Sequence, residues 1–313
     1  MEHIRQAVAR AKSPRGSDGQ PQNQLQQPHA IGAPGPDSSA RNETMLNGAR
    51  LEAKRIVAHD VADPRSKSFD MLRTQVLQSM DANSWQFLGV ISPTAGCGKS
   101  VIATNLALSI ARQPEKPVLL VDMDLQKPQI ANQLGLRCNQ GLISLLEGKT
   151  NLSRAIIPLR IRNSRFLFLP CETSVLNSSE WMASRTMSAL LYEIKRDFKN
   201  YTVIFDLPPI LLSDDVISIL PQIDCVLFVA AAGYTSVPEI KECNKHLEST
   251  PVVRVVLNKA TDATPTYYYS YSRYRKASAS QASVNGRREA KPAQFGRPKK
   301  SSFKRLIDRL TRY

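Results

Sequence analysis

The sequence predicts an α/β fold, a parallel sheet with helices on both faces. Three observations predict it. Several runs, such as Phe87–Ile91 and Val226–Ala230, are short and continuously apolar, without in-and-out alternation. Strands buried on both faces read this way. Helical patterns separate those runs, as in a chain that crosses back over its own sheet. Hydrophobic residues make up 42% of the 313, enough for a sizeable core.

In order, Met1–Lys12 reads as a short helix. Ser13–Gly48 is rich in Gln, Pro, Gly, Ser and Asn and poor in large apolar residues, so a disordered linker is expected. Ser66–Met80 reads as an amphipathic helix with Phe69, Leu72, Val76 and Leu77 on one stripe. Strands follow at Phe87–Ile91, Val118–Val121, Phe166–Leu169, Val203–Phe205, Val226–Ala230 and Val252–Leu257. Helices are expected at Ser100–Ala111, Gly141–Glu147, Glu180–Phe198 and Val237–Leu247. The expected division is a mostly disordered segment over 1–63, a folded domain over 64–262 and a tail over 263–313.

The formal net charge of +15 is uneven. Tyr271–Tyr313 carries +11, Met1–Asp63 carries +1, and the stretch between them +3. The charge therefore describes a tail, and it suits an anionic partner such as lipid, nucleic acid or an acidic protein face. The five cysteines form no C-x-x-C pair, so a reducing compartment is expected and a metal or disulfide framework is not. The N-terminus lacks the apolar core of a secretory signal, and no apolar run is long enough to span a bilayer.

The strongest chemical signal follows the strand Phe87–Ile91. Ser92-Pro-Thr-Ala-Gly-Cys-Gly-Lys-Ser100 leads from that strand into a helix, the context of a phosphate-binding loop. Gly96 and Gly98 let the backbone turn its N–H groups onto phosphate oxygens, and the helix adds its positive end. The nucleotide-binding set is thus Ala95, Gly96, Cys97, Gly98, Lys99, Ser100 and Val101. Lys99 reaches the β- and γ-phosphates of ATP, and the Ser100 hydroxyl holds Mg²⁺. The strict pattern places Gly where this chain has Pro93.

Such a loop needs carboxylates, and two strand ends supply them: Asp122 and Asp124 after the second strand, Asp206 after the fourth. Ligands of an open parallel sheet sit at the carboxyl ends of its strands, so the three acids can converge on the loop. Asp206 and Asp122 join Ser100 as the metal set. Asp122 is the candidate for activating an attacking hydroxyl, and Asp124 for assisting at the metal. Ordinary solvated strand-end acids are the alternative. Asp214 and Asp215 suit a helix cap near Val216 better than catalysis.

These motifs together resemble the bacterial tyrosine kinases of capsule and exopolysaccharide synthesis. The resemblance covers roughly Asp63–Tyr274. It includes Asn105-Leu-Ala, Leu119-Leu-Val-Asp-Met-Asp124, Gly141-Leu with Leu145-Leu-Glu-Gly, Asn177-Ser-Ser-Glu and Leu257-Asn-Lys. It implies ATP-dependent autophosphorylation of a tyrosine-rich C-terminal segment. Here that segment holds Tyr267, Tyr268, Tyr269, Tyr271 and Tyr274, which could instead form a surface aromatic patch. Asn258 matches the position where the superfamily reads the adenine edge, although a strand-end turn residue also fits. Partition and division-site ATPases of the same superfamily carry a lysine where this chain has Thr94, which disfavours that branch.

The chain departs from the family at three places. Gln126, beside Lys127, stands where an arginine is usual. Lys67, Asp70 and Arg73 replace the Glu-x-x-Arg-x-x-Arg of the ring-forming helix, with two charges reversed. Cys97 replaces an acid in the loop. The resemblance further implies a homo-oligomer, peripheral to the inner membrane on the cytoplasmic side, working with an inner-membrane polysaccharide chain-length (co-polymerase) protein. The basic tail, with Phe303, Leu306, Ile307 and Leu310 on one face, could lie on anionic lipid. It could also be a solvated charged tail, and nucleic acid is a weaker partner. The rival readings are an ATP-gated regulatory module without kinase activity and a partition-type ATPase.

Overall fold

The computed structural model describes residues 43–260. The expectations for Met1–Lys12, for most of the 13–48 linker, for the Tyr267–Tyr274 cluster and for the basic tail lie outside the described residues.

Within them, eight strands form one sheet: β1 (Thr44–Met45), β2 (Phe87–Ile91), β3 (Val118–Asp122), β4 (Ile157–Ile161), β5 (Ser164–Leu169), β6 (Thr202–Asp206), β7 (Cys225–Ala231) and β8 (Val252–Asn258). Their spatial order is β1-β4-β5-β3-β6-β2-β7-β8. The six strands expected from the sequence are all present and run parallel. β2 and β3 are buried at every position, which is why they show no alternation. Two apolar clusters cover the sheet, one on each face. Leu88 and Val90 of β2 belong to one, Phe87 and Ile91 to the other.

The helices that frame the site are α1 (Gly48–Ala53), α2 (Ser66–Asn83), α3 (Lys99–Ala111), α4 (Ile130–Leu134), α5 (Leu142–Leu146), α6 (Leu152–Ala155), α7 (Ser178–Met182), α8 (Arg185–Asp197), α9 (Asp215–Ile219) and α10 (Val237–His246).

Three expectations need correction. The segment 43–63 is built into the fold: β1 joins the sheet beside β4, and Leu51 and Ile56 are fully buried. Three of the four hydrogen bonds made by the Asn105 side chain of α3 hold its end. Its side-chain oxygen accepts from the Val57 and Ala58 N–H groups, and its amide donates to the Arg55 and Val101 carbonyls. The sheet is also not wholly parallel. β4 pairs with β5 as an antiparallel hairpin, and β1 follows β4. Finally, the single helix expected over Glu180–Phe198 is two. Ser184 is extended and its hydroxyl accepts from the Met187 N–H, so it ends one helix and caps the next.

Candidate active site at the phosphate loop

β2 sits at the middle of the sheet, between β6 and β7. Its carboxyl end delivers the loop, and α3 begins at Lys99. Gly96 and Gly98 take the left-handed conformation, with φ of 80° and 92°. L side chains rarely adopt it, so glycine is required here for the turn itself. A Cβ on Gly96 would meet nothing within 4 Å, so the loop's outer side is open. The cavity in front of it holds about 300 Å³ and is lined by Ala95, Gly96, Ser100, Asp124, Pro209 and Ser213, among others.

The sheet register brings the carboxylates together. Asp122 and Asp206 are direct partners on β3 and β6, and Asp206 also pairs with Val90 of β2. The Lys99 ammonium reaches across to Asp124 Oδ2 at 2.9 Å and Asp206 Oδ1 at 3.4 Å. Burial disfavours that ammonium, but the Asp206 and Asp124 carboxylates outweigh it and hold Lys99 above its ordinary range. Burial pushes Asp206 up, with Lys99 and Ser100 pulling against it. Burial and the neighbouring Asp206 charge push Asp122 up to about 8.

The three acids are not equivalent. Asp122 and Asp206 are fully buried, and only Asp124 lines the cavity. Asp122 is committed to backbone: Oδ2 accepts from the Gln129 and Ile130 N–H groups, and Oδ1 from Asp124 N–H at 3.4 Å. A general base must lie within hydrogen-bond reach of the proton it takes. In the structure Asp124 faces the cavity, while Asp122 holds the loop after β3 through the Gln129 and Ile130 N–H groups.

Mg²⁺ was expected at Ser100, Asp206 and Asp122. The donor set is oxygen-only, as a hard cation requires. Asp206 Oδ2 is buried without a hydrogen-bond partner, and so is Gln133 Oε1, whose residue lines the cavity. Ser100 and Asp206 thus fit the ion, and both Asp122 oxygens already accept backbone N–H groups, Oδ1 only at 3.4 Å.

Asn258 stands at the loop, but its amide donates to the Cys97 carbonyl at 2.9 Å. That contact is a strap on the loop, which the sequence reading missed. Cys97 is buried, with its Sγ 3.6 Å from Thr235 Oγ1 and 3.8 Å from Thr94 Oγ1. Gln126 donates to Ser178 Oγ at 2.9 Å and Ser213 Oγ at 3.4 Å, tying the β3, α7 and β6 loops together.

A strand–glycine loop–helix unit facing strand-end carboxylates across a parallel sheet defines a P-loop nucleotide-binding domain. Residues 88–279 match the model of the CobQ/CobB/MinD/ParA nucleotide binding domain, and the chain belongs to that family. It is similar to the tyrosine-protein kinase YwqD of Bacillus subtilis, 29% identical over 189 residues, covering 60% of this chain and 77% of that one. It is also similar to EpsB of Ralstonia nicotianae, 30% identical over 242 residues, or 76% of this chain. This chain spans about a third of EpsB, 31% of its length. Among solved structures, the chimerical protein CapA2B2 matches with a TM-score of 0.60 at 28% identity, over 70% of this chain and 93% of that one. The kinase domain of the Escherichia coli tyrosine kinase ETK shares the fold, with a TM-score of 0.57 at 24% identity, over 64% of this chain and 80% of that one.

Proposed function

We propose that the chain is an ATP-dependent protein-tyrosine autokinase that regulates exopolysaccharide polymerisation or export. The observation that carries it is the Lys99 ammonium held between Asp124 and Asp206 at the mouth of the phosphate loop. The relatives named as tyrosine-protein kinases supply the reaction class.

In this reading the loop amides and Lys99 receive the triphosphate of ATP. Lys99 leaves Asp124 for the phosphates and neutralises the charge that develops during transfer. The released Asp124 carboxylate faces the acceptor and takes the tyrosine proton. The γ-phosphoryl group passes to the phenol oxygen, and ADP departs with the cleaved bond's electrons. Ser100 and Asp206 would hold Mg²⁺, which supplies further charge neutralisation at the phosphates. Asp122 fixes the loop that carries Asp124. Tyr267, Tyr268, Tyr269, Tyr271 and Tyr274 are the acceptors, supplied by a neighbouring copy in a homo-oligomer.

The partner class is an inner-membrane chain-length protein, with the chain peripheral to that membrane on its cytoplasmic side. The +11 of Tyr271–Tyr313 supports contact with anionic lipid. Among the described residues no helix is long and apolar enough to cross a membrane.

A regulatory module that binds ATP without transferring phosphate is the second reading, favoured by Gln126 standing in the arginine position. One experiment separates them. The full chain, with and without the cytoplasmic tail of its membrane partner, is incubated with γ-labelled ATP and Mg²⁺. Label on tyrosine, lost when the five clustered tyrosines become Phe, is the expected result. Nucleotide binding with no phosphotyrosine in either condition leaves the regulatory module.

A further inference from the structure

A larger cleft opens at the opposite end of the sheet, where β3 and β5 begin. Its volume is about 890 Å³, against about 300 Å³ at the phosphate loop. Four cations line it, Arg112, Lys116, Arg160 and Arg165, with one lining carboxylate, Glu43. Arg112 is already paired with Asp70 at 2.8 Å, which leaves Lys116, Arg160 and Arg165 to face a ligand. Tyr201 forms part of its apolar wall.

Arg160 and Arg165 are direct partners across the antiparallel β4–β5 pair. Like charges placed opposite one another destabilise a sheet. Here a single carboxylate lies against both: Glu43 is 3.7 Å from Arg160 Nη1 and 3.0 Å from Arg165 Nε. Lys116 has only an exposed partner, Asp81, at 2.9 Å. Exposed pairs of that kind exchange readily with solvent and with other anions. The cleft is therefore an anion site that the chain half-fills with its own glutamate.

We propose that this cleft binds an acidic polypeptide segment, whose carboxylates join or replace Glu43 on Arg165, Arg160 and Lys116. Two observations select a polypeptide over a phosphate ligand. The anion already held is a glutamate leading directly into an extended strand, β1. The helix end that faces the cleft is the C-terminus of α3, at Ala111 and Arg112. Helix C-termini expose carbonyls and repel dense negative charge, whereas phosphate sites use N-termini. The proposal does not depend on phosphoryl transfer, because the cleft and Lys99 lie at opposite ends of the strands.

The test is fluorescence anisotropy with a labelled peptide of alternating Glu and Ser, on the full chain in saturating ADP. The same peptide with Gln for Glu, and inorganic tripolyphosphate as competitor, are the controls. The expected result is salt-sensitive binding of the acidic peptide alone. The double variant Lys116→Ala/Arg165→Ala weakens it about tenfold. Glu43→Gln tightens it about threefold, a gain that misfolding cannot produce. Both variants bind ADP as the parent does. Binding left unchanged in the double variant places the peptide on the basic tail and overturns the proposal. So does equal binding of the Gln peptide, displacement by tripolyphosphate at lower concentration than by free acidic peptide, or no binding at all.

Discussion

Asn258 donates its side-chain amide to the Cys97 carbonyl at 2.9 Å, so the last strand of the sheet is stitched to the phosphate loop. The stitch passes directly over Gly98. A Cβ there would lie 2.3 Å from Asn258 Nδ2, on a backbone with φ of 92°. Gly98→Ala meets both obstacles, left-handed strain of about 1–2 kcal/mol and a collision with the strap. Nucleotide affinity should fall at least tenfold in Gly98→Ala. Asn258→Asp, which turns a donor into an acceptor facing a carbonyl, should fall by about the same factor. Titration with a fluorescent ATP analogue measures both. Unchanged affinity in Asn258→Asp would show that the strap does not shape the loop.

Lys99 is the counter-charge for two buried carboxylates as well as a phosphate ligand. Lys99→Met removes one partner of a buried ionic group, a loss of about 3–5 kcal/mol at neutral pH. The stranded Asp124 and Asp206 then favour their protonated forms, so the defect should shrink as pH falls. Adding Asp124→Asn removes one of the two uncompensated charges. The double variant should regain part of the stability in urea unfolding but none of the phosphorylation. Equal stability of the single and double variants would mean that Asp124 is not coupled to Lys99.

Asp122 carries a pH dependence of its own. Its ordinary carboxyl value is 3.8 and burial pushes it up to about 8 in the fold. A carboxyl that holds its proton more tightly when folded loses stability as pH rises from the unfolded value toward the folded one. The chain should therefore lose stability between about pH 4 and 8 from this group. Asp122→Asn keeps an acceptor for Ile130 N–H and sacrifices only the 3.4 Å contact to Asp124 N–H. Its stability profile should be flatter over that range, and its advantage largest near pH 8. Thermal melts across the range measure it, and parallel profiles for the two chains would sink the idea.

Much of this fold could be read from sequence because burial on both faces leaves unbroken apolar runs such as Leu119-Leu-Val. β4 escaped because Ile157-Pro-Leu-Arg-Ile pairs antiparallel near one edge of the sheet and carries Pro158 and Arg160. The linker reading stopped too late in the chain because β1 has only two residues, and the stretch Arg55–Ala58 after it is held by Asn105, some fifty residues on. At the site, spacing placed Lys99, Asp124 and Asp206 together correctly. It could not rank the acids, since which one faces the cavity depends on the loop Gln126–Gln129 and on the backbone N–H groups that Asp122 accepts from.

The altered charges of α2 come together within the chain. From sequence, Lys67 and Asp70 reverse the charges usual on this helix while Arg73 keeps its own, so a contact between copies is expected to repel unless the charges re-pair. In the fold, Asp70 Oδ1 accepts from Ser109 Oγ at 2.7 Å, Arg112 at 2.8 Å and Arg73 at 3.1 Å. Arg73 also donates to the Ser109 carbonyl at 3.0 Å. The cluster joins α2 to the far end of α3, the helix that starts at the phosphate loop. Removing one partner leaves two half-buried guanidiniums facing each other. Asp70→Ala should therefore cost about 1–3 kcal/mol. Asp70→Asn, which keeps one acceptor, should cost less. Because both charges are spent inside the chain, neither variant should change the sedimentation coefficient of the full chain. A lower coefficient in Asp70→Ala, at a temperature where circular dichroism shows it folded, would instead place Asp70 at a contact between copies.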